Sequence, residues 1–396
     1  MSTGRGKYVA AGVGVLLLAG VVYAWSVLAV PIAAEFSEWS KAKLSVTFTL
    51  VMFLFCTGQI ITGFAGDRLK PKTGVWLGGA LLLAGFFIAS KAQSAGVLYL
   101  GFGVLGGLGA GVAYIAVMSS VVKWFPDKRG LVSGVLLMGF GFSSFIIGKL
   151  YQAWTPEYTG AWRGSFVILG LITFAVLFLC GFFLKKPLAN AENGHTAESG
   201  LTTGEMLKKP KFWYYYLWEL VLTCAGLMVI SQASGMVKAA SAEISAGSAA
   251  TIVGLISIFN GLGRVAFGSL YDKKGRRVSI LLDSLLFGGA GLLMFLGEKN
   301  GGTGYIIAAF VLLGAGYGGV PVCNSAFIGE SFGMAHYQTN FPVCNSAMLP
   351  ASLGSILAGA LYDATGGYMA VVAVIFGFTA VSLVCSGLIT ATEKRQ

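Results

Sequence analysis

Charged residues are scarce in this 396-residue chain, at 11% of the total, whereas an average soluble domain has about 25%. Hydrophobic residues make up 56% of the chain. So few charges cannot cover the water-facing surface of a protein of this length, which excludes a soluble globular enzyme. So large an apolar fraction also excludes a disordered chain. The composition therefore indicates that a lipid bilayer surrounds most of the polypeptide.

Residues for metal or disulfide chemistry are also few, with six cysteines and two histidines. The cysteines lie in or beside apolar stretches without the spacing of metal ligands, which predicts buried thiols. His195 and His336 both fall in predicted loops. We therefore expect no metal and no cofactor. The sequence also shows no nucleophile paired with a base, which favours a membrane transporter over a membrane enzyme.

Twelve apolar runs have about the 20 residues that a helix needs to cross a bilayer. One long polar interruption, 185–211, separates the first six runs from the last six. The sequence thus predicts an all-α membrane protein with twelve transmembrane helices in two pseudo-symmetric six-helix bundles, over 1–184 and 212–396, joined by a cytoplasmic linker. The runs cover about 8–34, 43–66, 74–91, 96–122, 130–152, 163–184, 212–237, 248–270, 278–296, 303–327, 340–361 and 369–390.

The net charge of +11 would suggest a nucleic-acid partner in a soluble protein, but here the basic residues follow the loops. They concentrate at both chain ends, in the linker, and after the second, fourth and eighth runs. Because cytoplasmic loops are rich in Lys and Arg, we expect cytoplasmic termini, a multi-pass protein of the plasma (inner) membrane, and no nucleic-acid partner. Arg264 alone lies in the middle of a run, with no loop to explain it.

A charged turn occurs twice, about half a chain apart. Gly63, Asp67, Arg68 and Lys72 mark the first copy, after the second run. The second copy, after the eighth run, spans 268–277 and includes Asp272 and Arg276. Internal repeats of this kind are typical of transporters built from related halves.

These turns resemble the signature of the major facilitator superfamily. Within it, the loop segment 124–134 (WFPDKRGLVSG) and the segment 259–264 (FNGLGR) resemble the oxalate:formate antiporter-like family and the related monocarboxylate transporters. The resemblance implies a two-bundle transporter of small carboxylates that works by alternating access. It further implies a substrate site near the middle of the membrane, between the two halves of the chain.

The resemblance also implies which residues contact the substrate. The family's substrate arginine falls on Arg264, and its aromatic pore-lining positions fall on Tyr23, Tyr114, Tyr317 and Phe140. Each tyrosine has the alternative of a packing or interfacial role. We expect Leu28 to pack against a substrate methyl group, and Asn260, one turn before Arg264, to orient the guanidinium or touch the substrate.

Three positions depart from the family pattern. Met348 stands where the oxalate carrier has a second cation, a lysine. Asn260 and Val27 stand where the animal monocarboxylate transporters have an aspartate and a lysine. These departures weaken the case for dicarboxylate exchange and for the usual proton-carrying carboxylate.

Arg264 itself favours an anion anchor. A charge at mid-membrane costs about 2.5–3.5 kcal/mol on insertion scales, and an arginine keeps its proton and matches a carboxylate with its planar fork. The alternative is a structural ion pair with Glu219 or Asp283. A single cation favours a monoanion, because a dianion would leave one carboxylate unpaired in a low-dielectric cavity.

The sequence leaves open two ways in which transport could be coupled to protons. Glu219 or Asp283 could titrate, or the proton could travel with the substrate and need no acid. Asp283 could instead stabilise the nearby charged turn. Glu219 could instead extend its carboxylate towards the membrane interface.

We interpret the charged turns as gates that form in one transport state and break in the other, with simple anchoring at the cytoplasmic face as the alternative. The gating candidates are Asp67, Arg68, Asp127, Arg129, Asp272 and Arg276. A hexapeptide, PVCNSA, occurs at both 321–326 and 342–347, and its second copy gives Asn345 either a cavity role or a hydrogen bond between helices.

The sequence thus predicts a secondary active transporter of small monocarboxylates such as lactate or pyruvate, coupled to protons and functional as a monomer. Its expected partners are a small carboxylate anion and a proton. An antiporter of the oxalate/formate kind is the alternative. A drug exporter is a third possibility, and transport by such a protein would tolerate the loss of Arg264.

Overall fold

The computed structural model describes residues 5–39, 41–156, 159–185, 200–240, 244 and 246–393. Within these ranges the regular elements are helical, and the strand-like pairing is a single backbone bridge between Gly200 and Gly333. The prediction of an all-helical membrane fold is confirmed.

Sixteen α-helices occur in the described part of the chain, with short 3₁₀ segments at Gly20–Ala24, Gly66–Arg68 and Val122–Trp124 and a π-helical segment at Tyr99–Gly106. The helices are α1 (Gly6–Ala19), α2 (Trp25–Glu35), α3 (Lys41–Ala65), α4 (Pro71–Ser90), α5 (Ala95–Leu98), α6 (Gly107–Val121), α7 (Arg129–Trp154), α8 (Trp162–Gly181), α9 (Thr203–Leu207), α10 (Pro210–Ala240), α11 (Ala246–Asn300), α12 (Thr303–Phe332), α13 (Tyr337–Asn345), α14 (Met348–Ala351), α15 (Gly354–Thr365) and α16 (Met369–Glu393).

Eleven helical stretches among the described residues are long and apolar enough to cross a membrane. One of them, Thr251–Asn300, has 50 residues and bends at Gly275, where φ is 76° and ψ is 176°. Glycine adopts such a positive φ without steric cost. The bend separates the eighth predicted span from the ninth, so the twelve predicted spans are all present.

The eleventh predicted span differs from its expectation. The run 340–361 was predicted as one helix, but the structure divides this region into α13, α14 and α15. The residues between α13 and α15 form tight turns, such as Ala347 N–H to the Cys344 carbonyl and Leu353 N–H to the Pro350 carbonyl. Pro350 has no N–H to bond the carbonyl four residues before it, so one helical hydrogen bond is missing in this region.

The chain divides into two compact units. The first comprises Met1–Asp127, Val135–Ser199 and Tyr337–Pro342, and the second comprises Lys128–Gly134, Gly200–His336 and Val343–Gln396. Most of the predicted linker, 186–199, lies outside the described residues. The bundle boundaries at 184 and 212 therefore stay a prediction.

The short helix α9 precedes the first long helix of the second unit and begins with a capping box. The Glu205 carboxylate accepts hydrogen bonds from the Thr202 backbone N–H and hydroxyl, both at 2.8 Å. Those hydrogen bonds stabilise the ionised form and lower the pKa of Glu205 below its usual value. In return the Thr202 hydroxyl accepts a hydrogen bond of 3.3 Å from the Glu205 backbone N–H, and this reciprocal pairing stabilises the helix start.

Close helix packing in the first unit depends on the glycines of α6. A side-chain carbon on Gly111 would overlap the Phe55 carbonyl oxygen, and one on Gly109 would lie 2.7 Å from the Gly78 carbonyl oxygen. Small residues at such positions let helices approach each other in lipid, where no hydrophobic force drives them together. Gly111 thus packs against α3, and Gly109 packs against α4.

We expect Gly111→Ala to destabilise the protein by about 1–3 kcal/mol, because the added methyl group has no room against the α3 backbone. Gly164→Ala is the matched control, since Gly164 is also helical and has no atom near the added carbon. Thermal unfolding of both variants in detergent measures the difference. Equal melting temperatures for the two would contradict this packing account.

Candidate functional site

Arg264 lies on α11 before the bend at Gly275, with 9% of its surface exposed. Its Nε donates a hydrogen bond of 2.9 Å to the side-chain oxygen of Asn260. The two residues are one helical turn apart, so they share a face of α11. This contact supports the expected role of Asn260 in orienting the guanidinium.

Glycines on two other segments let the backbone around Arg264 pack closely. A side-chain carbon on Gly134 would overlap the Arg264 carbonyl oxygen, and one on Gly318 would overlap the Asn260 carbonyl oxygen. Arg264 therefore lies in a stretch of α11 whose backbone packs tightly against these two segments.

Tyr317 on α12 is near enough to interact electrostatically with Arg264. Its ring occupies the space over Gly226 of α10, where a side-chain carbon would overlap the ring. Within the second unit, the structure therefore brings together three of the predicted substrate residues, Arg264, Asn260 and Tyr317.

Aromatic side chains form one cluster in the first unit. Tyr23, in the 3₁₀ segment between α1 and α2, packs edge-on against Phe140 with ring centroids 5.2 Å apart. Tyr114 lies 5.4 Å from Phe140. Phe55 packs on both of these, at 5.3 Å and 5.6 Å, and Phe341 stacks on Tyr114 at 6.1 Å. Sequence reasoning missed Phe55 and Phe341, because an apolar aromatic in an apolar helix carries no distinguishing pattern.

The other predicted contacts are buried. Leu28 on α2 is fully buried, and Asn345, the last residue of α13, is 3% exposed. Met348 begins the short helix α14, so the position of the missing second cation lies in the broken part of the eleventh span.

Glu219 does not snorkel. It is 3% exposed, and its two carboxylate oxygens accept hydrogen bonds from the Asn324 amide at 2.8 Å and the Cys344 thiol at 3.3 Å. The network links α10, α12 and α13. Both donors come from the repeated hexapeptide, one from each copy, which gives that repeat a structural role.

Asp283, in the part of α11 after the bend, is completely buried. Neither of its carboxylate oxygens has a hydrogen-bond partner among the described residues. They lie over α12, where a side-chain carbon on Gly316 or Gly319 would come within 3.0 Å or 2.9 Å of them. Among the described residues Asp283 makes no hydrogen bond to the charged turn, so its contacts do not support the expected loop-stabilising role.

Neither buried carboxylate forms the ion pair with Arg264 that the sequence left open. The oxygens of Glu219 bond to Asn324 and Cys344, and those of Asp283 accept no hydrogen bond from a described residue. The contacts of these two acids among the described residues therefore do not support the structural-pair alternative.

The second charged turn makes specific contacts. The Asp272 carboxylate accepts hydrogen bonds from the backbone N–H groups of Gly130, at 2.8 Å, and Leu131, at 2.7 Å. These are the first turn of α7, so Asp272 caps that helix and meets the positive end of its dipole. Arg129, at the start of the same helix, donates to the Gly329 carbonyl at 3.4 Å.

Arg276 binds the end of α12. It donates to the Ser331 hydroxyl at 2.7 Å and lies 3.5 Å from the Glu330 carboxylate. Glu330 also accepts a hydrogen bond of 2.5 Å from the Tyr271 hydroxyl. Sequence reasoning missed Glu330 and Tyr271, although an acid at the end of an apolar run, opposite a basic turn, was a usable signal.

The first charged turn is less completely described. Asp67 lies in the 3₁₀ segment Gly66–Arg68, and its side chain lies outside the described part of the structure. Arg68 and Asp127 are exposed. The Gln338 side chain donates to the carbonyl groups of Thr62 and Gly66, at 3.2 Å and 3.3 Å, a contact that the sequence did not suggest.

Comparisons with known proteins agree with this architecture. The chain is 27% identical over 330 residues to the oxalate:formate antiporter of Oxalobacter formigenes, covering 81% of this chain and 77% of that protein. It is 26% identical over 359 residues to monocarboxylate transporter 13 of Rattus norvegicus, covering 89% and 81%. In fold it is similar to the proton:xylose symporter XylE, with a TM-score of 0.76, 12% identity, and 98% and 96% of the two chains covered.

A family model settles the classification. The model described as Major Facilitator Superfamily matches residues 10–347, which is most of the chain. The relatives and the structural neighbour of this chain named above are membrane transporters. The chain belongs to the Major Facilitator Superfamily of membrane transporters.

Proposed function

We propose that this transporter carries small monocarboxylates of the lactate or pyruvate kind together with a proton. The observation that carries the proposal is the buried Arg264 guanidinium, oriented through Nε by Asn260 at 2.9 Å. A fixed orientation directs the two Nη groups as a fork, which is the geometry that a carboxylate accepts. The names of the relatives, an oxalate:formate antiporter and monocarboxylate transporters, support the same substrate class.

The charge balance favours a monoanion over a dianion. Met348 replaces the second cation expected for a dicarboxylate carrier, and a methionine cannot neutralise a second carboxylate. An unpaired carboxylate in a low-dielectric site costs several kcal/mol. A lactate-sized monoanion avoids that cost, since its remaining groups are a hydroxyl or keto oxygen and a methyl group.

Tyr317 is the second proposed contact, because its hydroxyl belongs to a ring that lies near Arg264 and can bond a carboxylate oxygen or a 2-hydroxyl group. The family resemblance supports Tyr23, Tyr114 and Phe140 as proposed substrate contacts. Leu28 is proposed as a packing contact for a substrate methyl group, and Asn345 is proposed from the repeated hexapeptide. The proposal also includes cytoplasmic termini and a location in the plasma (inner) membrane, which rest on the distribution of basic residues. Function as a monomer is part of the same proposal.

We further propose that Asp272 and Arg276 act as a gate. Asp272 satisfies two backbone N–H groups at the start of α7, and Arg276 holds the end of α12. Such contacts stabilise one conformation and must break in another, which is how a transport cycle uses a small number of hydrogen bonds.

Antiport of the oxalate/formate kind is the second candidate, and the observation that favours it is the 27% identity to the oxalate:formate antiporter. The two functions differ in their driving force. A symporter responds to a proton gradient, whereas an obligate exchanger responds to an anion on the opposite side.

Replacing Arg264 tests the anion anchor. We expect Arg264→Lys to weaken lactate binding roughly 10- to 100-fold, because a charged hydrogen bond contributes about 1.5–3 kcal/mol and lysine cannot reproduce the fork. Binding to purified protein and uptake into proteoliposomes measure the effect. Arg5→Lys is the control, since Arg5 is an exposed residue outside both charged turns. Full uptake by the Arg264→Lys variant would refute the anchor.

Proteoliposomes with and without a pH gradient distinguish symport from antiport. We expect an inward proton gradient to drive lactate accumulation without any internal anion, because the proton and the monoanion move together. The control is the same vesicle preparation made leaky to protons with an uncoupler. Stimulation by internal oxalate or formate, with no response to the gradient, would favour the antiporter instead.

Replacing Asp272 tests the gate. We expect Asp272→Asn to lower stability by about 1 kcal/mol, since the amide keeps one acceptor but loses the charge that faces the helix dipole, and to change the rate of uptake. Asp363→Asn, at an exposed carboxylate on α15, is the control. Unchanged melting temperature and uptake in the Asp272 variant would leave only an anchoring role for the turn.

A further inference from the structure

Two buried carboxylates of the second unit, Glu219 and Asp283, lie against the same helix, α12, but in different surroundings. The sequence offered both as proton carriers without a way to choose between them. Their hydrogen bonds separate the two, because donors offset part of the cost of a buried negative charge, and a carboxylate without donors bears the whole cost.

Glu219 has hydrogen-bond donors on both carboxylate oxygens. One oxygen receives the Asn324 amide N–H at 2.8 Å and the other receives the Cys344 thiol at 3.3 Å. Burial opposes the charge of Glu219 as it opposes that of Asp283, but these two donors offset part of the cost for Glu219. The network therefore favours a structural role in joining three helices.

Asp283 has the opposite surroundings. Its side chain is completely buried, and both oxygens are without a hydrogen-bond partner among the described residues. An ionised carboxylate in such a place costs far more than a neutral one, so the group is stable there as the protonated acid. Gly316 and Gly319 provide the space, because a side chain on either would collide with the carboxylate.

The neighbouring groups offer no opposite charge among the described residues. From α12 the titratable neighbour is the Cys323 thiol, which interacts electrostatically with Asp283. From α10, Trp218 bonds the Ser284 hydroxyl at 3.0 Å, next to Asp283 in the chain. From the first part of α11, Phe267 fills the space beside Gly319. From α16, Thr379, Ile375 and Phe376 pack against the glycines that follow Asp283 on α11.

The same short stretch of α12 contacts both Asp283 and the arginine site. Gly316 and Gly319 lie against the Asp283 carboxylate, and Gly318, between them, lies against the backbone of Asn260 and Arg264. A movement of this stretch when a carboxylate binds Arg264 would therefore change the surroundings of Asp283. This gives a physical route by which substrate binding and proton binding affect each other.

We propose that Asp283 is the proton-carrying residue of this transporter, an assignment that rests on the proposed monocarboxylate transport. A proton from water on one side forms an O–H bond with one Asp283 oxygen, which takes the side chain from a charge of minus one to zero. Breaking that bond on the other side releases the proton. The bound monocarboxylate carries one negative charge, so each cycle moves no net charge, and the membrane potential should not drive it.

Proteoliposome uptake of lactate compares Asp283→Asn with Glu219→Gln. We expect Asp283→Asn to lose accumulation driven by a pH gradient and to keep exchange of external labelled for internal unlabelled lactate, because asparagine mimics the protonated acid permanently. We expect Glu219→Gln to retain gradient-driven accumulation once the protein is folded. Gradient-driven accumulation by Asp283→Asn would overturn the assignment, and so would uptake that follows a sodium gradient instead of a proton gradient.

Infrared spectroscopy of the purified protein tests the same assignment without any transport. We expect a carboxylic-acid C=O band that is absent in Asp283→Asn and present in Glu219→Gln, with thermal unfolding of each variant as the check on folding. A band that disappears in Glu219→Gln, or no such band in the folded wild-type protein, would overturn the assignment. If lactate proves not to be a substrate while the band behaves as expected, the proposed function fails and the protonated Asp283 stands.

Discussion

The free-energy cost of placing a charged side chain away from water constrains the buried ionisable residues of this protein. A charged side chain within the bilayer must be oriented by a neighbour, satisfied by donors or neutralised by a proton. The second unit shows all three solutions. Asn260 orients Arg264, Asn324 and Cys344 donate hydrogen bonds to Glu219, and Asp283 has surroundings that favour its neutral form in this conformation. Each solution implies a different role, from substrate anchor to structural tie to proton site.

Glycine provides the geometry in which these charges can be placed. In α12, Gly316, Gly318 and Gly319 leave room for the Asp283 carboxylate and for the backbone of the Arg264 segment. In the first unit, Gly109 and Gly111 bring α6 against its neighbours. Because lipid supplies no hydrophobic force between helices, such close backbone contact is a main source of their association. Glycine-rich helices are therefore a means of positioning polar groups as well as of packing.

Most of the fold could be predicted from the sequence, because apolar length and the distribution of basic residues are properties of the chain itself. The helix bend at Gly275 coincides with the predicted boundary of two spans. The break of the eleventh span into α13, α14 and α15 was not predicted, since hydropathy reports the apolar length of a segment and does not register its backbone hydrogen bonds, including the one that Pro350 lacks. The Asn260–Arg264 pair was predictable for the same reason as the helices, as its spacing is one helical turn.

The sequence by itself determined that the chain spans a membrane and that one arginine lies in the middle of a span. It also determined that the motifs resemble those of carboxylate transporters. The tertiary structure decided which acids have partners, because donors from helices distant in the chain, Asn324 and Cys344, reach Glu219 and none among the described residues reaches Asp283. It also decided that Asp272 caps the start of α7. Local spacing cannot reveal such contacts, since they depend on which helices pack together and on the room that glycines leave between them.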